Sequence, residues 1–496
     1  MLFNSYIFIF AFLPICLAGY HILKKRSLQI AKVWLILFSL WFYGYFNIRY
    51  LAIMVGSVLI NFVVYKAIQK SKRYRKTVFI LGILINLGVL FYFKYFDFFI
   101  ENINVVFKTQ IPLKHILLPL GISFFTFQQI SFLHDVYDEK ITGVGFIDYA
   151  LFITFFPQLI AGPIVTAKEM LPQFDKAGEK ELNADMFAGG IYIFVMGLAK
   201  KVLIADVLSK AVDFGYADVF SLTGAESVLV SILYTFQLYF DFSGYCDMAI
   251  GIGRMFGINI AQNFNSPYKS HNIVEFWKRW HITLSRFFTR NIYIPLGGNR
   301  EGKVKMFRNL FIVFFLSGLW HGAGWNFILW GCMHGVLYVI TRAYLMHKNE
   351  KDHAGNDKKT VSNAAADVLS VVLTFAFVNM AWIFFRAPSL NEATAVLANM
   401  FTGGFTVSDA FLQTFNKGEF WYIFKILHLT NAVFGKYLVM CGYLTACFIM
   451  AFFMPNVHEA HAKMKFNGFH AIICGVVFLW CIVSLSGVGT FLYFNF

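Results

Sequence analysis

Charge is scarce in this 496-residue chain: Asp, Glu, Lys and Arg make up 14% of it, against 58% hydrophobic residues. That balance excludes a soluble globular domain, because the apolar runs are long enough to span a bilayer many times. Acidic residues are the scarcer sign, 27 against 42 Lys and Arg, which leaves a net charge of +15. The excess cations are scattered among loops rather than collected in a folded module. They therefore argue for loops facing anionic headgroups and against a nucleic-acid partner. The seven cysteines (Cys16, Cys246, Cys332, Cys441, Cys447, Cys474 and Cys481) lie in or beside apolar segments and form no CxxC pair. Neither a disulfide framework nor a zinc site is suggested, and no metal is expected. The opening MLFNSYIFIFAFLPICLAGY lacks a basic n-region and an A-x-A-like cleavage site, so it reads as a retained first span. There is no low-complexity tail and no convincing internal repeat, and the lack of an inverted repeat disfavours the common secondary-transporter folds.

What the chain does have is apolar segments in number. They are readable near 2–22, 31–47, 51–68, 77–100, 115–134, 147–165, 186–206 and 226–256, then 307–345 as two, 365–386, 417–454 and 467–494. This predicts an all-α polytopic protein of the cell membrane with on the order of a dozen crossings. Its 61 phenylalanines suit a lipid-facing and interfacial aromatic surface. Lys24, Lys25 and Arg26 in the first loop, and Lys66 to Lys76 around the third, predict cytoplasmic loops and an external N-terminus. The polar stretches 166–185 and 347–363 mix both signs and read as solvated connectors.

Three stretches break the apolar pattern. YFDFSGYCDMAIG places Asp241, Ser243 and Asp247 inside an apolar segment, where carboxylates need partners. An ion pair joining two helices is expected, with a cation from the region that follows. Residues 271–290, HNIVEFWKRWHITLSRFFTR, are too charged to span. As one helix they put Glu275, Arg279, Arg286 and Arg290 on one stripe, Trp277, Trp280, Leu284, Phe287 and Phe288 opposite, and His281 at the margin. That is the pattern of an interfacial or re-entrant helix. IYIPLGGNR then interrupts it, and broken backbone at membrane depth survives only beside protein or a water-filled cavity.

The third stretch, FFLSGLWHGAGWNFILWGCMHG at 314–335, holds His321 between apolar flanks. An imidazole there should face a protein-lined cavity or a water path. Gly318, Gly322 and Gly324 strip away bulk so that a backbone or substrate can approach. Trp320, Trp325 and Trp330 would wall the cavity. A packing histidine in a glycine-rich helix crossing is the plain alternative.

At these residues the sequence resembles the membrane-bound O-acyltransferase (MBOAT) family, in particular its bacterial alginate O-acetylation branch and more distantly the D-alanyl transferases of teichoic acids. The similarity runs through FNSYIFIFAFLPI, GISFFTFQQISFLHDVY, FFPQLIAGPIV, FDFSGYCDMAIGIGRMFGI, NFNSPY, FWKRWHITLS, YIPLGGNR, SGLWHGAGWNFILWG and FLYFNF. It implies one membrane domain over 1–496, with a catalytic core at about 115–345 and additional spans at 365–496. The fold implied is a ring of transmembrane and re-entrant helices around a thin centre with a tunnel. His321 of the WHG motif would be catalytic, with His281 its companion in the same cavity. Trp320, Trp325, Trp280, Arg279 and Asn326 are the expected substrate-binding residues. Asn291 stands where an acidic residue is expected and Cys246 where Ser is common, and the first removes one charge partner for Arg286 or Arg290.

The resemblance also implies the chemistry: acetyl transfer from cytosolic acetyl-CoA, with no resident cofactor, to an extracytoplasmic polysaccharide, directly or through a periplasmic or extracellular acetyltransferase partner. Histidine suits the proton transfer because its unperturbed pKa of about 6.5 lets it take and return a proton near neutrality. Backbone N–H groups near Gly322 and Gly324, or the Trp325 indole, are candidates for the oxyanion. Arg279, Arg286 and Arg290 are candidates for the phosphates of coenzyme A or for lipid headgroups. Ser285, Ser317 and Cys332 are the residues near enough in sequence to form an acyl-enzyme. A lipid or protein O-acyltransferase, and a proton-coupled transporter or flippase, are the competing readings.

Overall fold

A computed structural model describes residues 1–179, 183–354, 364–415, 425–426, 433–464, 467–485 and 491–492. Every regular element among them is helical. Two helices form the middle of the molecule. Ile122–Tyr137 is buried without a break from Ile122 to Leu133, and Gly224–Met255 from Leu233 to Gly253. Burial on all sides fits their sequences, which are apolar around the whole circumference. The second starts at a capping box in which the Thr223 side chain and Glu226 each bond the other's backbone N–H.

Ala184–Ala199 lies along Gly224–Met255 through two glycine pairs, Gly190 with Gly251 and Gly197 with Gly244. A Cβ at Gly190 would sit 2.7 Å from the Gly251 carbonyl oxygen, and one at Gly244 2.8 Å from that of Gly197. No side chain fits there, so the backbones touch, as small residues allow in membrane interiors. The same two elements are joined by charge. Lys200 binds Asp247 at 2.7 Å, and Lys201 binds Asp241 and Asp206, each at 2.7 Å. The carboxylates thus hold helices together, but their cations come from the chain before them. Asp247 also receives His458 at 2.9 Å, and Asp241 accepts the backbone N–H of Leu492.

Among the described residues five helices are long and apolar enough to cross a membrane: Ile48–Lys70, Arg75–Phe107, Trp325–Lys348, Ala364–Arg386 and Gly435–Phe452. Phe8–Leu23, Leu28–Gly44 and Gly468–Ser484 are shorter apolar helices. The dozen apolar segments of the sequence do not all become spans, because apolar character marks burial in protein as readily as contact with lipid. The run 147–165 is a buried helix, Phe146–Thr154, followed by the four-residue turn Phe156–Leu159 that carries Pro157. The run 115–134 is irregular before Gly121, with His115 in a left-handed backbone, and helical only from Ile122. The charged stretch 166–185 is no loose connector but an amphipathic helix, Ala167–Glu179, burying Ala167, Met170, Phe174 and Ala177. Of the second polar stretch, 355–363 lie outside the described residues, and so do most of 417–432 and the last four residues.

The basic loops share one face. Lys24 donates to the Ala177 carbonyl, Lys66 to that of Val144, and Arg75 to those of Val136 and Tyr137 while pairing with Glu139.

Candidate active site

The charged stretch 271–290 is not one helix. Ile273–Arg279, capped by the Asn272 side chain, stops at Trp280, and Ile282–Phe288 begins afresh. Between them His281 takes a left-handed backbone, φ 44° and ψ 52°, which is unfavourable for a residue with a Cβ and tends to gather at functional sites. The segment 263–265 takes over the backbone bonds that the break costs. Ile282 N–H donates to the Asn263 carbonyl, and Asn265 N–H to the Arg279 carbonyl. The break turns the His281 side chain into the interior, where the residue is 1% exposed.

Asn263 fixes its chemistry as well as its place. Asn263 Oδ1 accepts the backbone N–H of Thr283 at 3.2 Å, which identifies that atom as the oxygen, and it also accepts the Thr283 hydroxyl at 2.9 Å. The same oxygen lies 3.1 Å from His281 Nδ1, so in the neutral ring Nδ1 carries the proton and Nε2 has the lone pair.

His321 is the last residue of Lys303–His321, and the extended Gly322 leads to the next helix at Trp325. The final carbonyls of that helix are satisfied from another span. Tyr95 Oη donates to the Leu319 carbonyl at 2.9 Å, and Lys94 Nζ to those of Trp320 and His321 at 2.5 and 3.0 Å. A cation at a helix C-terminus also complements the dipole there. Gly318 meets Gly331 of the following helix, where a Cβ would lie 3.0 Å from the Gly331 Cα. These glycines admit a neighbouring backbone.

The walls are aromatic. The His321 ring centroid lies 4.8 Å from that of Trp320, and 5.1 Å from those of Trp330 and Phe385. Trp320 stands between the two histidines, 6.3 Å from His281, and Phe242 packs edge-on against His281 at 4.9 Å. A third buried imidazole, His334, stands 4.8 Å from Trp330 and accepts the Trp277 indole N–H at Nδ1. Sequence reasoning passed over it, together with Asn263 and Lys94. Lys94 was findable: FYFKYFDFF sets a lone lysine in an apolar span, where an ionisable group needs a reason.

The other expected residues scatter. Trp280 is buried behind His281, against Phe276 and Trp382. Trp325 is 58% exposed, and its indole donates to Asn102, so it does not wall the histidine cavity. Asn326 is buried but donates its amide to the Phe384 and Ala387 carbonyls, closing the end of a neighbouring helix. Arg279 is bound to Glu275 by two hydrogen bonds, of 2.8 and 3.0 Å. Arg286 pairs with Glu169 and Arg290 with Asp135, so the uncharged Asn291 deprives neither of a partner. Asn291 instead meets His134 at 2.8 Å.

Two cavities meet the His321 segment. A small one, about 40 Å³, is lined by Lys94, Leu120, Gly121, Phe124, Trp320 and His321. It lies at the Ile122 end of the buried helix, away from the basic loops. A larger one, about 540 Å³, is lined by Lys278, Arg286 and Arg342 and reaches Trp277, Ser285 and Ser317. Ser317 is one helical turn before His321, which itself lines the smaller cavity, and the two cavities share no lining residue. Ser285 and Ser317 share a cavity, and Cys332 is not among its lining residues. Among the described residues no group of three or more His, Cys, Asp or Glu is placed to hold a metal.

Comparison with known proteins identifies the chain's relatives. The MBOAT (membrane-bound O-acyltransferase family) model matches residues 17–385. The chain is 45% identical to the peptidoglycan O-acetyltransferase of Helicobacter pylori over 429 residues, 81% of this chain and 80% of that protein. It is 39% identical to the alginate O-acetylase AlgI of Pseudomonas aeruginosa, over 82% of this chain and 75% of that one. With the teichoic acid D-alanyltransferase of Bacillus subtilis identity falls to 29%, over 57% of this chain and 72% of the other. With a family model across three quarters of its length and relatives at this identity, the chain belongs to the membrane-bound O-acyltransferase family.

Proposed function

We propose that the protein moves an acetyl group from cytosolic acetyl-CoA to a hydroxyl of a cell-wall or exported polysaccharide beyond the membrane, directly or through a partner acetyltransferase, with His321 as the general base. The observation that carries this reading is a buried histidine lining a small cavity, with a larger, cation-lined cavity reaching Ser317 one helical turn before it. The larger, with Lys278, Arg286 and Arg342 on its wall, suits the phosphates of the donor. The smaller suits one acceptor hydroxyl. The names of the relatives, a peptidoglycan O-acetyltransferase and an alginate O-acetylase, favour a glycan over a lipid or protein acceptor.

In the step proposed, the hydroxyl oxygen attacks the thioester carbonyl while His321 takes its proton. The tetrahedral oxyanion collapses, the C–S bond breaks, and the imidazolium returns the proton to the leaving thiolate. Donors for the oxyanion would come from the backbone N–H groups around Gly322. His281, with its lone pair on Nε2, would orient His321, bind the thioester carbonyl or handle the acceptor hydroxyl.

The test uses inverted membrane vesicles supplied with acetyl-labelled acetyl-CoA, with label followed into glycan, protein and free acetate. Release of CoA that requires glycan, and that falls about 10²–10⁴-fold in His321→Ala at unchanged protein abundance, is the expected result. Release that ignores the histidine, or proton-coupled flux without release, would return the protein to the transporter reading. Label held on the polypeptide would instead identify an acyl-enzyme.

A further inference from the structure

Apart from the histidine site, a cavity of about 270 Å³ opens on the basic-loop face where four elements meet. His21 and Lys24 come from the end of the first helix, Gln173 and Lys176 from the amphipathic helix Ala167–Glu179, and Asn183 from the start of Ala184–Ala199. Arg254 and Asn259 come from the end of the buried helix and the loop after it. Every ionisable lining residue among those described is a cation or a histidine.

Some of the polar groups here are paired with one another, and others have no protein partner among the described residues. Gln173 and Asn259 satisfy each other, the amide donating to the Asn259 carbonyl at 3.1 Å and Asn259 N–H donating to Gln173 Oε1 at 2.8 Å, which makes a fixed neutral wall. Arg254 is half-buried and makes no ion pair among the described residues, and its Nε is buried without a protein partner. His21 donates Nε2–H to the Met255 carbonyl at 3.1 Å, and its Nδ1 is likewise buried without a protein partner. Asp175, beside Lys176, does not serve this pocket because it is taken by Lys32 at 2.5 Å. The N-terminus of the 16-residue helix Ala184–Ala199 adds its dipole to the same wall.

We propose that this pocket binds a phosphate ester. Arg254 supplies a forked donor set suited to two phosphate oxygens, Lys176 a mobile point charge at the rim, and His21 a further N–H once an anion favours its protonated form. The amphipathic helix on one side and helix ends on the other put the pocket at the level of lipid headgroups on the face that the basic loops mark as cytoplasmic. Basic pockets between membrane helices on that side receive phosphorylated lipid heads. A soluble phosphate ester such as coenzyme A presents the same chemistry, and the experiment separates the two. Binding itself does not depend on the proposed acetyl transfer.

The full-length protein is placed in nanodiscs of phosphatidylglycerol or of phosphatidylcholine. Lipid retained after detergent exchange is counted by native mass spectrometry, and coenzyme A binding is titrated in the phosphatidylcholine discs. The proteins are wild type, Arg254→Gln and Lys176→Glu, the last altering an exposed residue that the fold does not need. The expected result is phosphatidylglycerol held by wild type over phosphatidylcholine, with affinity reduced roughly fivefold for each cation lost. Coenzyme A bound by wild type and weakened to the same degree in both variants, with no lipid preference, supports the pocket with a soluble occupant. Lipid retention and coenzyme A binding that are both unchanged in Lys176→Glu and Arg254→Gln overturn it.

Discussion

Two of the groups of ionisable residues inside this molecule, one on each side of the helix Gly224–Met255, are built on opposite principles. The seam toward Ala184–Ala199 is ionic: Lys200 with Asp247 and His458, and Lys201 with Asp206 and Asp241. Each charge there has its counter-charge within 3 Å. The group around His281 and His321 is aromatic, with Trp320 between the two rings and Trp330, Phe385 and Phe242 around them. Fully paired charges are spent on holding helices together, since moving a proton would break the pair. A neutral imidazole among rings keeps a lone pair that a substrate hydroxyl can use. On the proposal above, the difference separates structure from chemistry where the sequence alone shows only polar residues in apolar runs.

The largest expected effect breaks the two groups apart in opposite ways. His321→Ala should lower CoA release about 10²–10⁴-fold while leaving the thermal midpoint in detergent nearly unchanged. Asp247→Ala should do the reverse. Removing one member of a buried pair costs about 3–5 kcal/mol, so the midpoint should fall sharply while the protein that remains folded keeps its turnover. If His321→Ala unfolds the protein and Asp247→Ala silences folded enzyme, the assignment of roles is inverted.

The ionic seam also permits a test that only a structural role can pass. Lys200→Met combined with Asp247→Leu replaces the pair with apolar side chains of similar size. Such replacements of buried pairs are often neutral. His458 then has to be changed to an apolar residue too, because it lies 2.9 Å from Asp247. The triple variant should recover at least half of the stability lost in Asp247→Ala, read from the same thermal midpoints. Failure to recover would give the seam a function beyond cohesion.

Much of this was legible in the residues. His281 and His321 stood out because glycine, proline and charge interrupt apolar runs around them, and the two aspartates were readable as an ion-paired joint. The source of their cations was not, since Lys200 and Lys201 precede them and nothing in local spacing says which neighbour a buried helix will face. The Arg stripe failed for a related reason. A helical wheel assumes one continuous helix, and His281 breaks it with a left-handed residue whose cost is met by Asn263 and Asn265, neighbours in space from another segment. Trp325 looked like a cavity wall because it is close to His321 in sequence, yet the turn at Gly322–Gly324 directs it outward. Apolar runs such as 147–165 do not each become one long helix, because composition alone does not separate burial in protein from contact with lipid.

A finer cut is available inside the histidine group. Asn263 touches His281 but no reacting atom, so it acts as a positioning residue. Asn263→Ala should lower kcat roughly tenfold, within the range expected for disabling one proton-transfer partner. It should also cost about 1–3 kcal/mol of stability, because the Thr283 N–H and hydroxyl lose their acceptor. Asn263→Asp keeps an acceptor oxygen for His281 Nδ1 and Thr283. It should therefore return most of kcat while still lacking the amide contact to Cys246. Equal kcat in the two variants would show that the tautomer of His281 does not matter to turnover.

The smallest effect belongs to Trp325. Its indole lies on the surface and donates one hydrogen bond to Asn102, 3.1 Å away. Trp325→Ala should therefore cost about 0.5–1.5 kcal/mol of stability and leave CoA release within roughly twofold of wild type. Trp320→Ala, five residues earlier, removes the buried ring between the two histidines and should depress kcat far more in the folded protein, at a stability cost of about 3–5 kcal/mol. If the two tryptophans behave alike, membership of the WHG segment matters more than contact with His321, and the aromatic enclosure is not what sets the histidine group apart from the ionic seam.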